Sequence, residues 1–197
     1  LLQEATGWAE QLAKRSAVPL KKTVTTNATR LDEARARWLR EHEFYVGISL
    51  DGNRAMHEAT RPYADGRSSF DDALRGLDAA ARCLPDYEVI VVIDPKNVRH
   101  LEAGVRFLAD ERGVGRVSVN PNFYTDWPAP ALGEWETAFE RLGDWYLDRY
   151  RAGRPTGLNF IDSKIITGLK NGYACGDRCR FGDGEIAVAP SGRLYPC

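Results

Sequence analysis

The chain lacks the features that would tie it to a membrane or to nucleic acid. None of its apolar runs approaches the length of a membrane span, and its first residues do not resemble a signal peptide. Its 27 basic and 28 acidic side chains are well mixed and leave a net charge of -1. This balance predicts neither a nucleic-acid partner nor an anionic membrane partner. A hydrophobic content of 43% supports one substantial buried core.

Cysteine is also scarce, with four residues in the chain, which favours a reducing cytoplasm. Cys175 lies four positions before Cys179, which is followed by twelve residues, Gly192, four more residues and Cys197. We call these three thiols the terminal cysteine cluster. Their spacing is typical of an iron–sulfur or other metal site, and leaves a zinc ribbon or a disulfide open as alternatives. Cys83 lies in an apolar helical stretch and is predicted to serve packing.

Helical and extended segments alternate along the chain. Apolar spacing predicts helices at about 2–12, 31–40, 70–81, 98–108, 132–150 and 158–169, and strands at 20–26, 44–50, 88–93 and 116–120. The alternation predicts an α/β fold of βα units with a parallel sheet. Two arrangements fit it: an open doubly wound sheet, or a partial (open) β/α barrel.

The polarity of the strand faces separates these two arrangements. Residues 44, 46, 48 and 50 are all apolar, whereas the opposite side of the same strand ends in Gly47, Ser49 and Asp51. The strands near 24 and 117 repeat this alternation. A doubly wound sheet buries both faces, so the sequence favours a partial barrel whose second face is wet or lines a ligand cavity.

Polar residues also gather where the predicted strands end, which is where barrel enzymes place their sites. They form one predicted ring at the barrel mouth. Each member also has a local interpretation, as a turn residue or as a hydroxyl bonded to the backbone. The ring consists of Asn27, Ser49, Asp51, Asn120 and Asn122.

Several segments resemble radical S-adenosylmethionine enzymes. They are residues 46–52 (Val-Gly-Ile-Ser-Leu-Asp-Gly), 57–62 (His-Glu-Ala-Thr-Arg-Pro) and 26–31 (Thr-Asn-Ala-Thr-Arg-Leu). The segment 175–197 is similar to the opening of the SPASM extension, which carries an auxiliary iron–sulfur cluster. The resemblance implies a partial radical S-adenosylmethionine barrel followed by the start of a small Cys-rich hairpin domain. The implied bounds are 1–152 for the barrel, 153–172 for a bridging helix and 173–197 for the hairpin domain.

The resemblance also implies roles for individual residues. Ser49 would contact the ribose or methionine part of S-adenosyl-L-methionine, with Asn27, Asp51 and Asn120 at neighbouring strand ends. Arg61 would face the nucleotide carboxylate or a peptide substrate, because its guanidinium is a fixed fork of donors. The terminal cysteine cluster would ligate an auxiliary 4Fe–4S cluster.

Two family features are absent from the sequence. Neither the Cys-x3-Cys-x2-Cys loop that holds the radical-generating cluster nor the Gly-Gly-Glu segment that binds the methionine amine occurs in it. We therefore expect an internal fragment of a longer protein that is inactive alone. His57 is similar to part of a family His-Asp pair but is followed by Glu58, and a local hydrogen-bonding role is the alternative to a catalytic one.

The expected activity of the intact protein is generation of a 5′-deoxyadenosyl radical that abstracts hydrogen from a peptide or protein. The leading hypothesis is a peptide maturase that forms a thioether, cyclophane or related crosslink, with an electron donor as a second partner. One alternative is an anaerobic sulfatase-maturing enzyme that makes formylglycine. A second, from another class, is a non-enzymatic α/β binding module in which zinc holds the hairpin.

Overall fold

A computed structural model describes residues 1–173, 187–189 and 191–195 of the chain. The terminal cysteine cluster lies outside the described residues. The chain divides into two compact units, Leu1–Asn159 and Phe160–Cys197. In the part of the chain that the structure describes, no helix has both the length and the apolar character needed to span a membrane.

The first unit alternates helices and strands as the sequence predicts. Its elements, in chain order, are α1 (Leu2–Ser16), β1 (Lys22–Thr26), α2 (Glu33–Glu41), β2 (Phe44–Ser49), α3 (Arg54–Glu58), α4 (Phe70–Cys83), β3 (Tyr87–Ile93), a 3-10 turn (Val98–His100), α5 (Leu101–Arg106), a π-helical turn (Phe107–Glu111), β4 (Arg116–Pro121), α6 (Ala129–Arg151) and β5 (Gly157–Leu158). The predicted strand positions are confirmed to within about two residues at each end.

The five strands form one parallel sheet in the order β1-β2-β3-β4-β5. This order never reverses, so every crossover advances in the same direction. Right-handed crossovers that all advance one way put their helices on the same face of the sheet. A doubly wound sheet instead reverses its order at a switch point. The fold class predicted from the sequence, an open sheet of the β/α barrel kind, is therefore confirmed.

The two faces of the sheet differ in burial as the strand patterns predict. Val46, Ile48, Val89 and Val91 are completely buried under the helices. On the other face, Tyr45, Ser49, Glu88 and Ile90 are only partly buried, Gly47 is buried, and Thr25 of the edge strand is exposed. One face therefore holds the core of the first unit, and the other, which we call the open face, is less buried.

Local sequence signals explain how the helices begin and pack. The side chain of Asp32 accepts a hydrogen bond from the backbone N–H of Arg35 at 2.8 Å, which caps the amino end of α2. Gly76 lets α4 lie directly against the backbone of Ala28, because a Cβ at position 76 would meet the Ala28 carbonyl oxygen. Cys83 is buried, as predicted for a packing residue.

The helix expected at 98–108 differs most from its prediction. It is divided into a 3-10 turn, α5 and the π-helical turn. In the last of these, the N–H of Arg112 donates to the carbonyl of Phe107, five residues earlier, at 3.1 Å. Such bonds widen the turn relative to a regular helix. Apolar spacing does not encode this change of hydrogen-bonding pattern.

The second unit contains two of the predicted elements. Helix α7 (Asn159–Leu169) begins at the unit boundary, and β6 (Ala187–Val188) pairs with β7 (Leu194–Tyr195) in antiparallel fashion. The predicted helix at 158–169 and the predicted hairpin are therefore confirmed. Gly192 has a φ of 80° and its N–H donates to the Ala189 carbonyl at 2.8 Å, so it serves the hairpin turn.

Candidate ligand-binding site

Asp51 is the central residue of a polar cluster where β2 and β3 end. It is only 1% exposed. One carboxylate oxygen, Oδ1, accepts the backbone N–H of Val92 at 2.8 Å. The other, Oδ2, accepts Nε of Arg61 at 2.6 Å and the hydroxyl of Thr60 at 3.0 Å. Burial of a carboxylate is costly unless it is paired and hydrogen-bonded, and this arrangement provides both.

Asn97 joins this cluster to the end of β3. It is fully buried, and its amide donates to the Val92 carbonyl at 3.0 Å and to the Thr60 hydroxyl at 3.3 Å. Its Oδ1 accepts the backbone N–H of Asp94 at 2.9 Å. The carboxylate of Asp94 in turn accepts from the Asn122 amide at 3.1 Å. A continuous hydrogen-bond network therefore links the ends of β2, β3 and β4.

His57 is buried behind Asp51, and its surroundings fix its tautomer. Nδ1 accepts the backbone N–H of Asp51 at 3.2 Å, and Nε2 lies 3.0 Å from the hydroxyl of Ser69. That hydroxyl donates to the carbonyl of Arg61 at 2.6 Å. Nε2 must therefore carry the hydrogen and donate to Ser69. Burial lowers the pKa of His57 from 6.5 to about 4, so the imidazole is neutral near pH 7.

A cavity of about 430 Å³ opens beside this network. Arg61 and Lys96 contribute two cations to its wall, and Asp51 and Asp94 contribute two carboxylates. Both carboxylates already accept protein hydrogen bonds. The cavity is lined by Asp51, Ala59, Thr60, Arg61, Pro62, Val92, Asp94, Lys96 and Asn122. With both acids engaged, the arrangement suits an anionic group such as a carboxylate.

The structure brings together some of the ring residues and separates others. Asp51 and Asn122 line the same cavity, as does Arg61, whereas Asn27, Ser49 and Asn120 do not. Asn27 behaves as a turn residue, because its Oδ1 accepts hydrogen bonds from the Thr29 hydroxyl at 3.1 Å and from the Thr29 N–H at 3.3 Å. The nucleotide contacts predicted for Asn27, Ser49 and Asn120 stay predictions.

Ser49 and Asn120 nevertheless lie on the same face of the sheet. Ser49 pairs with Ile90, which pairs with Ser118, two residues before Asn120. Paired residues of a parallel sheet point to the same face, and so do residues two apart along a strand. Both side chains therefore belong to the open face, and Asn120 is exposed there. The predicted polar face is present, although its members do not form one closed ring.

Other polar groups cross the open face nearer the amino ends of the strands. The Ser118 hydroxyl donates to Glu88 at 2.6 Å, from β4 to β3. Arg116 on β4 donates to the Tyr45 hydroxyl on β2 at 2.7 Å and to Asp86 at 3.2 Å. These pairs satisfy polar and charged side chains on the less buried face of the sheet.

Sequence reasoning gave no role to four residues of the cluster and its cavity: Thr60, Asp94, Lys96 and Asn97. Asp94 and Lys96 follow β3 directly, so the strand-end rule that selected Asp51 also applies to them. Asn97 gives a weaker signal, since an asparagine after a proline-containing turn is ordinarily a loop residue.

A larger cavity, of about 480 Å³, lies beside β1 and α2 away from this network, and Val24, Trp38 and Leu39 contribute to its mainly apolar wall.

The described residues contain no group of three or more His, Cys, Asp or Glu side chains that could hold a metal ion. The predicted metal ligands Cys175, Cys179 and Cys197 lie outside that part of the chain, so their role stays a prediction.

No protein-family model matches the chain. Individual proteins do. The serine-type anaerobic sulfatase-maturating enzyme of Klebsiella pneumoniae is 35% identical over 192 residues, which cover 91% of this chain and 46% of that protein. The cysteine-type enzyme of Clostridium novyi is 24% identical over 192 residues, covering 89% of this chain and 48% of that protein. The chain is related to anaerobic sulfatase-maturating enzymes. The predicted resemblance to radical S-adenosylmethionine enzymes is thereby confirmed.

Solved structures of a maturating enzyme share the fold. A structure of histidine-tagged anSMEcpe with bound AdoMet superposes with a TM-score of 0.82 at 19% identity, and covers 98% of this chain and 53% of that one. Another, described as native anSMEcpe with bound AdoMet and the Cp18Cys peptide, gives a TM-score of 0.77 at 18% identity, covering 98% and 56%. The chain thus spans about half the length of the maturating enzymes it matches.

Proposed function

We propose that the protein carrying this chain is a radical S-adenosylmethionine enzyme that modifies a side chain of a peptide or protein. One observation carries the proposal. Both serine-type and cysteine-type sulfatase-maturating enzymes align with about nine-tenths of the chain. The preferred reaction is therefore oxidation of a serine or cysteine side chain to formylglycine. Crosslinking of a peptide, the leading hypothesis from the sequence, is the outcome that the experiment below must distinguish from it.

The residues present fit S-adenosylmethionine in chemistry. Ser49 and Asn120 place a hydroxyl and an amide on the open face of the sheet, where they can hydrogen-bond to sugar hydroxyls. Arg61 and Lys96 place two cations in the neighbouring cavity, where a carboxylate would be favoured. When bound beside a reduced iron–sulfur cluster, the cofactor supplies one-electron hydrogen-abstraction chemistry. The chain's own residues bind and orient it.

The terminal cysteine cluster is proposed to supply ligands to an auxiliary 4Fe–4S cluster, since thiolates are the usual protein ligands of such clusters. The Cys-x3-Cys-x2-Cys loop of the radical-generating cluster does not occur in this sequence. We therefore propose that the 197-residue chain alone does not cleave S-adenosylmethionine. A peptide or protein substrate, an electron donor and a cytoplasmic location complete the proposal.

The test uses the native protein that contains this sequence, purified anaerobically and supplied with S-adenosylmethionine and dithionite. The substrates are three peptides of otherwise identical sequence with Ser, Cys or Ala at the target position. We expect 5′-deoxyadenosine and a hydrazide-reactive aldehyde with the Ser or Cys peptide, and no aldehyde with the Ala peptide.

The other outcomes identify competing functions. A product that loses two hydrogens but does not react with hydrazide would show crosslinking and exclude the formylglycine reaction. Stoichiometric zinc, with no iron, no sulfide and no 5′-deoxyadenosine, would support the binding-module hypothesis and refute the proposal.

A further inference from the structure

We infer that Asp51 is a positioning residue: it fixes the guanidinium of Arg61, the group to which the family resemblance assigns a carboxylate, and does not itself contact the ligand. The inference rests on the proposed function. It gives Asp51 a role different from the direct cofactor contact implied by the family resemblance. The supporting observations are the complete engagement of Asp51, the two-sided restraint of Arg61, and the position of Arg61 in the cavity wall.

Asp51 has little capacity left for a ligand. Its Oδ1 accepts from the backbone of Val92, and its Oδ2 accepts from both Thr60 and Arg61. The residue is 1% exposed, so a ligand in the cavity has almost no access to the carboxylate. A bound carboxylate would also be repelled by the negative charge of Asp51. Its effect on an anionic ligand must therefore pass through the cation that it holds.

Arg61 is restrained through its backbone as well as its side chain. Its N–H donates to the His57 carbonyl at 2.9 Å, and its own carbonyl accepts the Ser69 hydroxyl at 2.6 Å. Ser69 is in turn held by the neutral ring of His57 at 3.0 Å. Hydrogen bonds therefore restrain both the backbone and the side chain of Arg61. Such preorganisation reduces the entropy lost when a ligand binds.

The remaining donors of Arg61 give the site its chemistry. A guanidinium has about five N–H donors, and Asp51 takes the single one on Nε. The donors on the two terminal nitrogens form the fork that binds a carboxylate in bidentate fashion. The Arg61 side chain is 26% exposed and lines the cavity. Two sources of carboxylate are possible: the amino-acid end of S-adenosylmethionine, and an acidic group of the peptide.

The experiment is a double-mutant cycle on ligand affinity in the native protein. The four forms are the wild type, Asp51→Asn, Arg61→Gln and the double variant. Asn is close in size to Asp but carries no charge. Equilibrium titration with S-adenosylmethionine tests one carboxylate source, and titration with an acidic substrate peptide in the presence of S-adenosylmethionine tests the other. Asp65→Asn is the matched control, because Asp65 is a surface carboxylate paired only locally with Arg67.

We expect Asp51→Asn to weaken the affinity for one of these two ligands by about tenfold. A change of this size is typical of the coupling between residues in contact. In the Arg61→Gln background the same change should have almost no further effect on affinity, although it still lowers the melting temperature. Asp65→Asn should leave both affinities unchanged.

Two results would overturn the inference. One is an equal loss of affinity on changing Asp51 in both backgrounds, which would indicate that Asp51 acts on the ligand without Arg61. The other is unchanged affinity for both ligands in Asp51→Asn. Absence of S-adenosylmethionine binding by the wild-type protein would instead refute the proposed function, so the two failures are distinguishable. If Asp51→Asn does not fold, Arg61→Lys takes its place. Lysine keeps the positive charge but lacks the planar fork that Asp51 orients, so unchanged affinity for both ligands in this variant would overturn the inference.

Discussion

The neutral, buried imidazole of His57 predicts a specific dependence of stability on pH. In the folded protein its pKa is lowered to about 4, chiefly by burial, whereas the unfolded chain retains the ordinary value of 6.5. Between these pH values the unfolded state binds a proton that the folded state does not. The contribution of His57 to stability is therefore fully present above pH 6.5 and is lost progressively as pH falls toward 4.

The magnitude follows from the difference between the two pKa values. Each pH unit inside this window costs about 1.4 kcal/mol per proton. Lowering the pH from about 7.5 to about 5.0 should thus remove about 2 kcal/mol of unfolding free energy through His57 alone. Carboxylates and other groups add their own dependence, so the test requires a variant that lacks only this titration.

The assay is urea unfolding at a series of pH values for the wild type, His57→Gln and His100→Gln. Gln is neutral throughout and retains an N–H that can donate to Ser69. His57→Gln should be less stable than the wild type near neutral pH, by about 1–3 kcal/mol, since a buried polar contact is lost. That deficit should shrink by about 2 kcal/mol at acidic pH.

His100 is half-buried and contacts Arg99, so its replacement serves as the matched control. His100→Gln leaves the contacts of His57 with Asp51 and Ser69 intact, so this variant should keep the loss of stability that is assigned to His57. Parallel curves for the wild type and His57→Gln would show that the buried imidazole does not resist protonation, and would refute the reasoning.

Three further predictions concern packing, capping and metal content. Gly76→Ala should lower the free energy of unfolding by about 2–3 kcal/mol, measured by thermal unfolding, because the new Cβ meets the Ala28 backbone. Gly133→Ala, in α6 with open space around it, should instead stabilise by about 1 kcal/mol, and equal effects at the two sites would contradict the packing described for α4. Asp32→Ala should cost about 1 kcal/mol through loss of the α2 cap, and a cost near zero would show that the cap is not needed. Replacing the terminal cysteine cluster by alanine should lower the iron and sulfide content of the anaerobically prepared native protein, whereas Cys83→Ala, at a buried packing position, should leave it unchanged. Unaltered iron in both preparations would remove the cluster assignment.

Much of the fold follows from local periodicity. The alternation through 44–50 and 116–120 identifies both the strands and the face that lacks a covering layer, because a period of two is a property of the strand itself. The π-helical turn at Phe107–Glu111 could not be predicted in this way, since it changes hydrogen bonding without changing the apolar spacing. The handedness of crossovers reduced the possible arrangements to two, and the polarity of the strand faces favoured the partial barrel.

The site was predictable only in part, for a physical reason. Asp51 and Arg61 could each be selected from the sequence, but their mutual contact depends on the path of the loop between them. The hydrogen bond from Asn97 to Thr60 spans 37 positions along the chain, and no local pattern encodes it. Asn27 shows the opposite case, because its side chain bonds two residues ahead, a contact that turn chemistry alone anticipates.

The contact between Asp51 and Val92 has a consequence for the shape of the sheet. The N–H of Leu50 donates to the Ile90 carbonyl at 3.2 Å, while the Leu50 carbonyl accepts from Gly52 at 2.9 Å. The next N–H along β3, that of Val92, is taken by the carboxylate of Asp51 at 2.8 Å. The Asp51 side chain thus takes the place of the backbone carbonyl that would otherwise accept this N–H and continue the hydrogen-bond ladder between β2 and β3. The backbone ladder between β2 and β3 therefore stops at the bond from Leu50 to Ile90, and a residue without an acceptor at position 51 would leave the Val92 N–H free to pair with the Leu50 carbonyl.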